Sequence, residues 1–277
     1  MSIFSSDEIN FFKSLLDNEI RPDGRNFNQV KKFSVKQDIL PSCLSSIEIK
    51  NKDTNIFLSL KAEITKEYEG ISINCDSLSY KSFNQQNQNQ VKGSNFNNIS
   101  KNKELTLVNI NEIQEVLYLI DKLILSKIDQ SKLVIHGNNS TMFWSININI
   151  FSLEKLYLHN LQTVIIGVKE LLINSNFPII DVFRNKITDE IEYTLMENSY
   201  RKINFEVNDT FVIGCYDDNY LIDPSMEELT VIDTIILLSI DINNKIEHIE
   251  TLGSIVDLKE FDSLIEFVVN VKNHNIS

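Results

Sequence analysis

Arginine, glycine and cysteine are all scarce in this chain, and each shortage removes a class of activity. Arg21, Arg25, Arg184 and Arg201 are the only arginines among 26 basic residues in a sequence of 277. Arginine offers a planar donor fork that grips phosphate bidentately, whereas lysine offers a hydrated point charge. So few forks make a poor phosphate handler. With seven glycines in all, the chain has no G-x-x-x-x-G-K-[ST], G-x-G-x-x-G or G-x-S-x-G pattern, which removes the common nucleotide-binding and serine-hydrolase signatures. Cys43, Cys75 and Cys215 are odd in number, far apart and free of C-x-x-C spacing. A disulfide framework or thiolate metal site is thereby excluded, and reduced, mostly buried thiols are expected. His136, His159, His248 and His274 do not stand at i, i+3 or i, i+4 from another histidine or an acid pair, so neither a zinc site nor any other cofactor is expected.

Long apolar runs are missing too. Stretches such as 234–240 are far too short to cross a bilayer. The opening MSIFSSDEINFF carries acids where a secretory signal needs basic residues. These features predict a soluble intracellular protein with no membrane partner. Positive charge is in deficit: 39 acidic residues give a formal net charge of -13. Such a chain repels a polyanion at long range unless its basic residues gather locally, and along the sequence they hardly do. Apolar mass is present in quantity, with 42% hydrophobic and 23% charged residues, ordinary globular usage that supports a sizeable core.

The residue pattern divides the chain into two rounds of strands and helices. Ser5 and Glu8 form a capping-box pair ahead of Ile9, Phe12, Leu15 and Leu16, which share one helical face, and the turn R-P-D-G-R follows at 21–25. Alternation at Ile47, Ile49, then Ile56, Leu58 and Leu60 around a turn at 51–54 predicts a β-hairpin, with a further strand at 71–75. Residues 83–98, FNQQNQNQVKGSNFNN, give a core nothing to bury and read as a flexible surface insertion. A buried-face helix is predicted at 111–125, strands at 133–135 and 142–151 around Asn138-Asn139, and an internal helix over 156–173. The stretch 184–201 is more polar and reads as a boundary. Beyond it come strands at 203–207, 211–216, 220–222, 234–241 and 245–250, and a closing helix from 258 to about 271. Trp144, in an alternating strand, is a core residue rather than a base-stacking platform. The pattern as a whole is α+β.

Three segments then line up with one family. NEIRPDGR (18–25) resembles the [LI]-R-x-D-G-R opening of RNase PH-like exosome subunits. Residues 133–178, with Trp144, a long buried helix and the ending ELLINSNFP, resemble the close of that family's first domain. CYDDNYLIDPSMEELTVIDT (215–234) is similar to its D-P-[ST]-x-E-E segment. The resemblance implies an RNase PH-like fold (ribosomal protein S5 domain 2-like) of two packed α/β lobes: an N-terminal helix at 1–22, a first domain at 23–185 and a second at 200–277. It marks Arg21, Asp23, Gly24, Arg25, Asp223, Pro224, Glu227 and Glu228 as motif residues with structural roles. For Arg21 and Arg25 an RNA contact at the pore stands against ion pairs that dock the N-terminal helix, and their place in the opening turn favours docking.

Active members of the family cleave RNA by phosphorolysis, and the resemblance places their phosphate on a Gly-Gly-[ST]-Arg turn at the head of the long internal helix. Here the same junction reads FSLEKLYLHNLQT (151–163), with no glycine or arginine between Gly137 and Gly167. Leu156, Tyr157 and Leu158 would crowd such a cradle, and Glu154 would repel the anion. Where active subunits carry a general acid this chain reads LTVIDT, and Asp233 is assigned no catalytic role. The expectation is therefore a non-catalytic member of a hetero-hexameric ring enclosing an RNA channel. The resemblance further implies S1/KH cap subunits, a separate hydrolytic exoribonuclease, and residence in the nucleus (nucleolus) and cytoplasm. Two other readings remain. An active phosphorolytic exoribonuclease would release nucleoside diphosphates, and an unrelated α+β binding module would co-purify with no ring chains.

Overall fold

Ser5 closes the first helix as its sequence predicts. Its hydroxyl accepts from the Glu8 N–H, and the Glu8 carboxylate accepts from the Ser5 N–H at 2.8 Å, starting α1 (Ser6–Asp17). The computed structural model describes residues 4–52, 54–77, 113–137, 140–152, 156–217, 219–254 and 261–275. The Gln/Asn tract at 83–98, the Asn138-Asn139 turn and the first residues of the expected closing helix lie outside them.

The predicted hairpin is β2 (Ser45–Lys50) paired with β3 (Asn55–Thr65), flanked by β1 (Ser34–Gln37), which pairs with β2. After β4 (Ile71–Ser77), α2 (Ile113–Leu123) and β5 (Val134–Gly137), the long β6 (Ser140–Ser152) lies antiparallel to β3 and parallel to β4. The result is a six-stranded sheet in the order β1-β2-β3-β6-β4, with β5 on β6. A parallel neighbour requires a crossover, and α2 lies within the one between β4 and β6.

α3 (Leu161–Ile173) packs on β2 and β3 from one side and on β9 (Asp209–Tyr216) from the other. Being buried on both sides, it lacks a polar face. Strands β10 (Asn219–Ile222), β9, β11 (Thr234–Ile240) and β12 (Ile246–Gly253) form the second sheet in that order. Val212, Ile235, Leu237 and Leu252 belong to the same core cluster as α3 and the first sheet. Ile213, Ile236, Leu238 and Ile240 pack with Leu264, Val268 and Val271 of α4 (Phe261–Asn275). The second sheet is thus sandwiched, and one core runs through both lobes.

Four expectations need correction. The internal helix begins at Leu161, not at 156, because Tyr157 is extended and 158–160 form a single 3-10 turn. The predicted strand at 203–207 is irregular. Ile203 and Phe205 are buried alternately, as in a strand, but the Phe205 N–H donates to the Ile203 carbonyl at 2.9 Å and curls the backbone away from any ladder. The polar stretch 184–201 is no linker: it holds the end of β7 (Asn176–Arg184), the turn, and nearly all of β8 (Ile191–Lys202), which pairs antiparallel with β7. β8 has no buried residue, so nothing in its hydropathy marks it as a strand. The three cysteines are free as expected, but each is half-buried rather than buried.

Candidate functional site

The opening turn and the D-P-S-M-E-E segment, far apart in sequence, meet in one buried cluster. Arg21 Nε and Nη2 each donate to the Glu228 carboxylate at 2.7 Å, and neither side chain is exposed to solvent. Arg21 Nη1 also donates to the carbonyls of Ile222 at 3.0 Å and of Asn26 and Gln29 at 3.3 Å, and Nη2 to that of Asp223 at 3.2 Å. Every donor of the guanidinium therefore has an acceptor. Glu228 is held in turn by a second capping box: its carboxylate accepts from the Ser225 N–H at 2.7 Å, and its own N–H donates to Ser225 Oγ at 3.3 Å.

Asp223 adopts φ 52°, a region that aspartate tolerates better than most residues. That conformation lets its carboxylate accept from both the Lys31 N–H at 2.8 Å and Lys31 Nζ at 3.2 Å. Arg25 closes the cluster through Asp23 Oδ2 at 2.7 Å, the Gln29 carbonyl at 2.8 Å and the Asp223 carbonyl at 2.9 Å. Burial works against the ionised form of Asp23, yet the hydrogen bond and charge of Arg25 prevail and hold its carboxyl below the usual range. Pro224 gives its carbonyl to Lys31 at 3.3 Å, and Glu227, half-buried, gives its carbonyl to Thr230. Gly24 supplies the positive φ of 77° that the turn needs, and open space surrounds the point where a Cβ would stand. Replacing it with alanine is expected to cost about 1 kcal/mol through backbone strain alone, measurable as a shifted denaturant midpoint.

Three cations, Arg21, Arg25 and Lys31, face three carboxylates, Asp23, Asp223 and Glu228. The cluster is neutral and saturated. The ion pairs of both arginines clamp the opening turn, and α1 with it, onto the second lobe. Arg21 has no surface on which to meet RNA. A different link, missed in the sequence, fastens α1 itself: the Tyr216 hydroxyl donates to Asp17. Burial, that hydrogen bond, and the nearby Asp217 and Asp233 together push the phenol well above the usual tyrosine range. Asp233 is exposed at the entrance to β11, where its carbonyl accepts from Ser254.

Lys31 also joins this cluster to the head of α3, donating from Nζ to the His159 carbonyl at 2.8 Å. There the side chains of Gln162 and Thr163 are already in use, whereas Asn160, at the cap position, makes no capping bond and its buried Nδ2 has no acceptor among the described residues. Gln162 donates to the Thr210 carbonyl at 3.0 Å and accepts from the Val212 N–H at 2.7 Å, like an extra strand residue against β9. Thr163 Oγ1 accepts from Asn51 at 3.3 Å. Leu156, Leu158 and Leu161 are buried around the turn, and the half-buried rings of Tyr157 and His159 stack with centroids 5.7 Å apart. Glu154 lies outside the described residues. Among those residues no group of histidine, cysteine and acid side chains is placed to hold a metal, and no helix is long and apolar enough to cross a membrane.

Neither a family model nor a curated protein matches the sequence. Among solved structures the chain is similar to one described as the archaeal exosome core, with a TM-score of 0.62 over 96% of this chain and 93% of that one, at 19% identity. It is likewise similar to the Archaeoglobus fulgidus exosome with RNA bound to the active site, with a TM-score of 0.61 over 94% and 93% at 19% identity. The fold is therefore the RNase PH-like fold of those exosome core chains, spanning nearly the whole of this chain.

Proposed function

We propose that this chain is a non-catalytic structural subunit of the hexameric ring of the RNA exosome, supporting 3′-to-5′ RNA processing and degradation by positioning partners around an RNA channel. The observation that carries the reading is the head of α3. Side chains that would have to stand aside for a phosphate are instead leucines in the core, and Gln162 and Thr163 are bonded to β9 and to Asn51. An anion seat needs open backbone N–H groups and spare positive charge. The adjoining cluster of three cations and three carboxylates supplies no such excess.

In this setting the partners are other RNase PH-like chains, S1/KH cap subunits and a separate hydrolytic exoribonuclease. The FFKSLLDNEIRPDGR opening and FVIGCYDDNYLIDP favour the ring place of the ribosomal RNA-processing protein 43 type over the 42 and 45 types. The corresponding residence is nuclear, nucleolar and cytoplasmic. Affinity purification of the tagged chain from its own cells tests the assignment. Comparable recovery of several other RNase PH-fold chains is the expected result, and recovery of the chain without any of them contradicts it.

A further inference from the structure

The outer face of the six-stranded sheet carries an arrangement that the ring assignment does not use. Val35, Ile49 and Ile56 turn inward to the core, so their neighbours Ser34, Lys36, Lys50 and Phe57 turn outward. Cross-strand pairing then builds a row of Lys36, Glu48, Phe57, Phe151 and Asp76 across five strands, with Ser34, Lys50 and Asn55 beside it. On the other side of the row stand the buried Ser46 and Ser59, then Asn149 opposite Asn74, and Asn147 opposite Ser72. Phe151, near the C-terminal end of β6, remains 36% exposed, and Phe33, at the edge before β1, is 38% exposed.

Lys36 and Lys50, far apart in the sequence, are brought onto one face by the β1–β2 pairing, with Lys32 and Lys52 just beyond its end. Asn51 points inward, bonded to Thr163, and the flanking Lys50 and Lys52 are both exposed. Lys36 is 3.3 Å from Glu48 with its side chain 74% exposed. Among the described residues Lys32, Lys50 and Lys52 have no carboxylate within ion-pair distance, so against Glu48 and Asp76 of the row the four lysines leave a modest excess of positive charge in a chain of net charge -13.

We propose that this face binds single-stranded nucleic acid, with bases stacked on Phe151 and Phe57 and the backbone held by Lys32, Lys36, Lys50 and Lys52. A sheet face with an exposed Phe151 beside a half-buried Phe57 suits unpaired bases, whose faces are free to stack. It does not suit a duplex, whose bases are hidden within the stack. The amides of Asn74, Asn147 and Asn149 add donors and acceptors at the level of base edges. An acidic protein would satisfy the lysines but gives no role to the aromatic rings of the row. RNA is the strand in the setting of an exosome ring, and this choice over DNA alone rests on that reading.

Fluorescence anisotropy of the full chain with a labelled twelve-nucleotide oligouridylate tests the proposal, using the oligodeoxyuridylate and a duplex of the same length for comparison. Binding is expected to be weak and to fall steeply with salt. Phe151→Ala weakens it about tenfold at an unchanged salt slope. The double change Lys36→Ala/Lys50→Ala lowers the slope by about 1.4, the release of two counterions from a single strand. Phe151→Trp retains affinity, which separates stacking from a folding defect. Equal binding of both single strands upholds the face while removing RNA preference, and co-purification judges ring membership independently. Equal or tighter binding of the duplex, no binding at low salt, or single-strand binding indifferent to both Phe151→Ala and the lysine pair overturns the proposal. So does loss, in the lysine variant, of an acidic protein partner alone.

Discussion

Arg21→Ala is expected to destabilise the chain by about 3–5 kcal/mol, because it leaves the buried Glu228 carboxylate without its partner. For a chain of this size that corresponds to a fall of about 10 °C in melting temperature. The four carbonyls that Arg21 serves lose their donor at the same time. Arg21→Lys recovers little, since an ammonium group does not span both carboxylate oxygens and the carbonyls of Ile222 and Asp223 together. Removing both charges in Arg21→Met/Glu228→Leu costs less than the sum of the single changes, because the expensive state is one buried charge without the other. Thermal melting of the wild type, Arg21→Ala, Arg21→Lys, Arg21→Met, Glu228→Leu and the double variant separates these outcomes. If Arg21→Ala melts like the wild type, the clamp between the opening turn and the second lobe is not what holds them together.

The second large effect lies where the lobes share their core. Phe177, fully buried in β7, meets Trp144 of β6 edge-on at 5.2 Å and Phe205 at 6.1 Å between ring centroids. Phe177→Ala removes the ring that joins the first sheet to the irregular 203–207 segment, and the surrounding backbone has little freedom to close the hole. A loss of about 3–5 kcal/mol is expected, read from denaturant unfolding. Phe177→Leu, which keeps most of the volume, should lose clearly less. Equal losses for the two would mean that the site collapses freely and that the aromatic cluster is not a rigid joint.

What the sequence reveals and what it hides follow from how each element is buried. The β2–β3 hairpin is legible because one face is apolar core and the other is polar, so Ile47, Ile49, Ile56, Leu58 and Leu60 alternate with polar partners. α1 is legible through Ser5 and Glu8, whose contacts are local. β8 leaves no trace, since it buries nothing, and a strand wet on both faces has no period to find. The start of α3 is blurred because Leu156 and Leu158 are buried before the helix begins, which extends the apolar run beyond the helical turns.

The motif residues show the same divide. Arg21, Asp23, Arg25, Asp223 and Glu228 stand out in two separate segments, and the fold brings all five into one cluster. That Arg21 reaches Glu228, over a separation of 207 residues, is tertiary information absent from either turn. Lys31 escapes notice for a related reason: a lysine in a polar stretch reads as solvated, and its burial comes from Asp223 and the His159 carbonyl, both distant in sequence. That Lys36 and Lys50 share one outward face likewise emerges only once β1 is laid against β2.

The central claim is that the head of α3 is built into the core and seats no phosphate. Its most direct test is incubation of purified chain, at high concentration, with single-stranded RNA and saturating inorganic phosphate, followed by chromatography for nucleoside diphosphates. The account predicts none above the protein-free blank. Nucleoside diphosphates that accumulate in proportion to both the chain and the phosphate would contradict it.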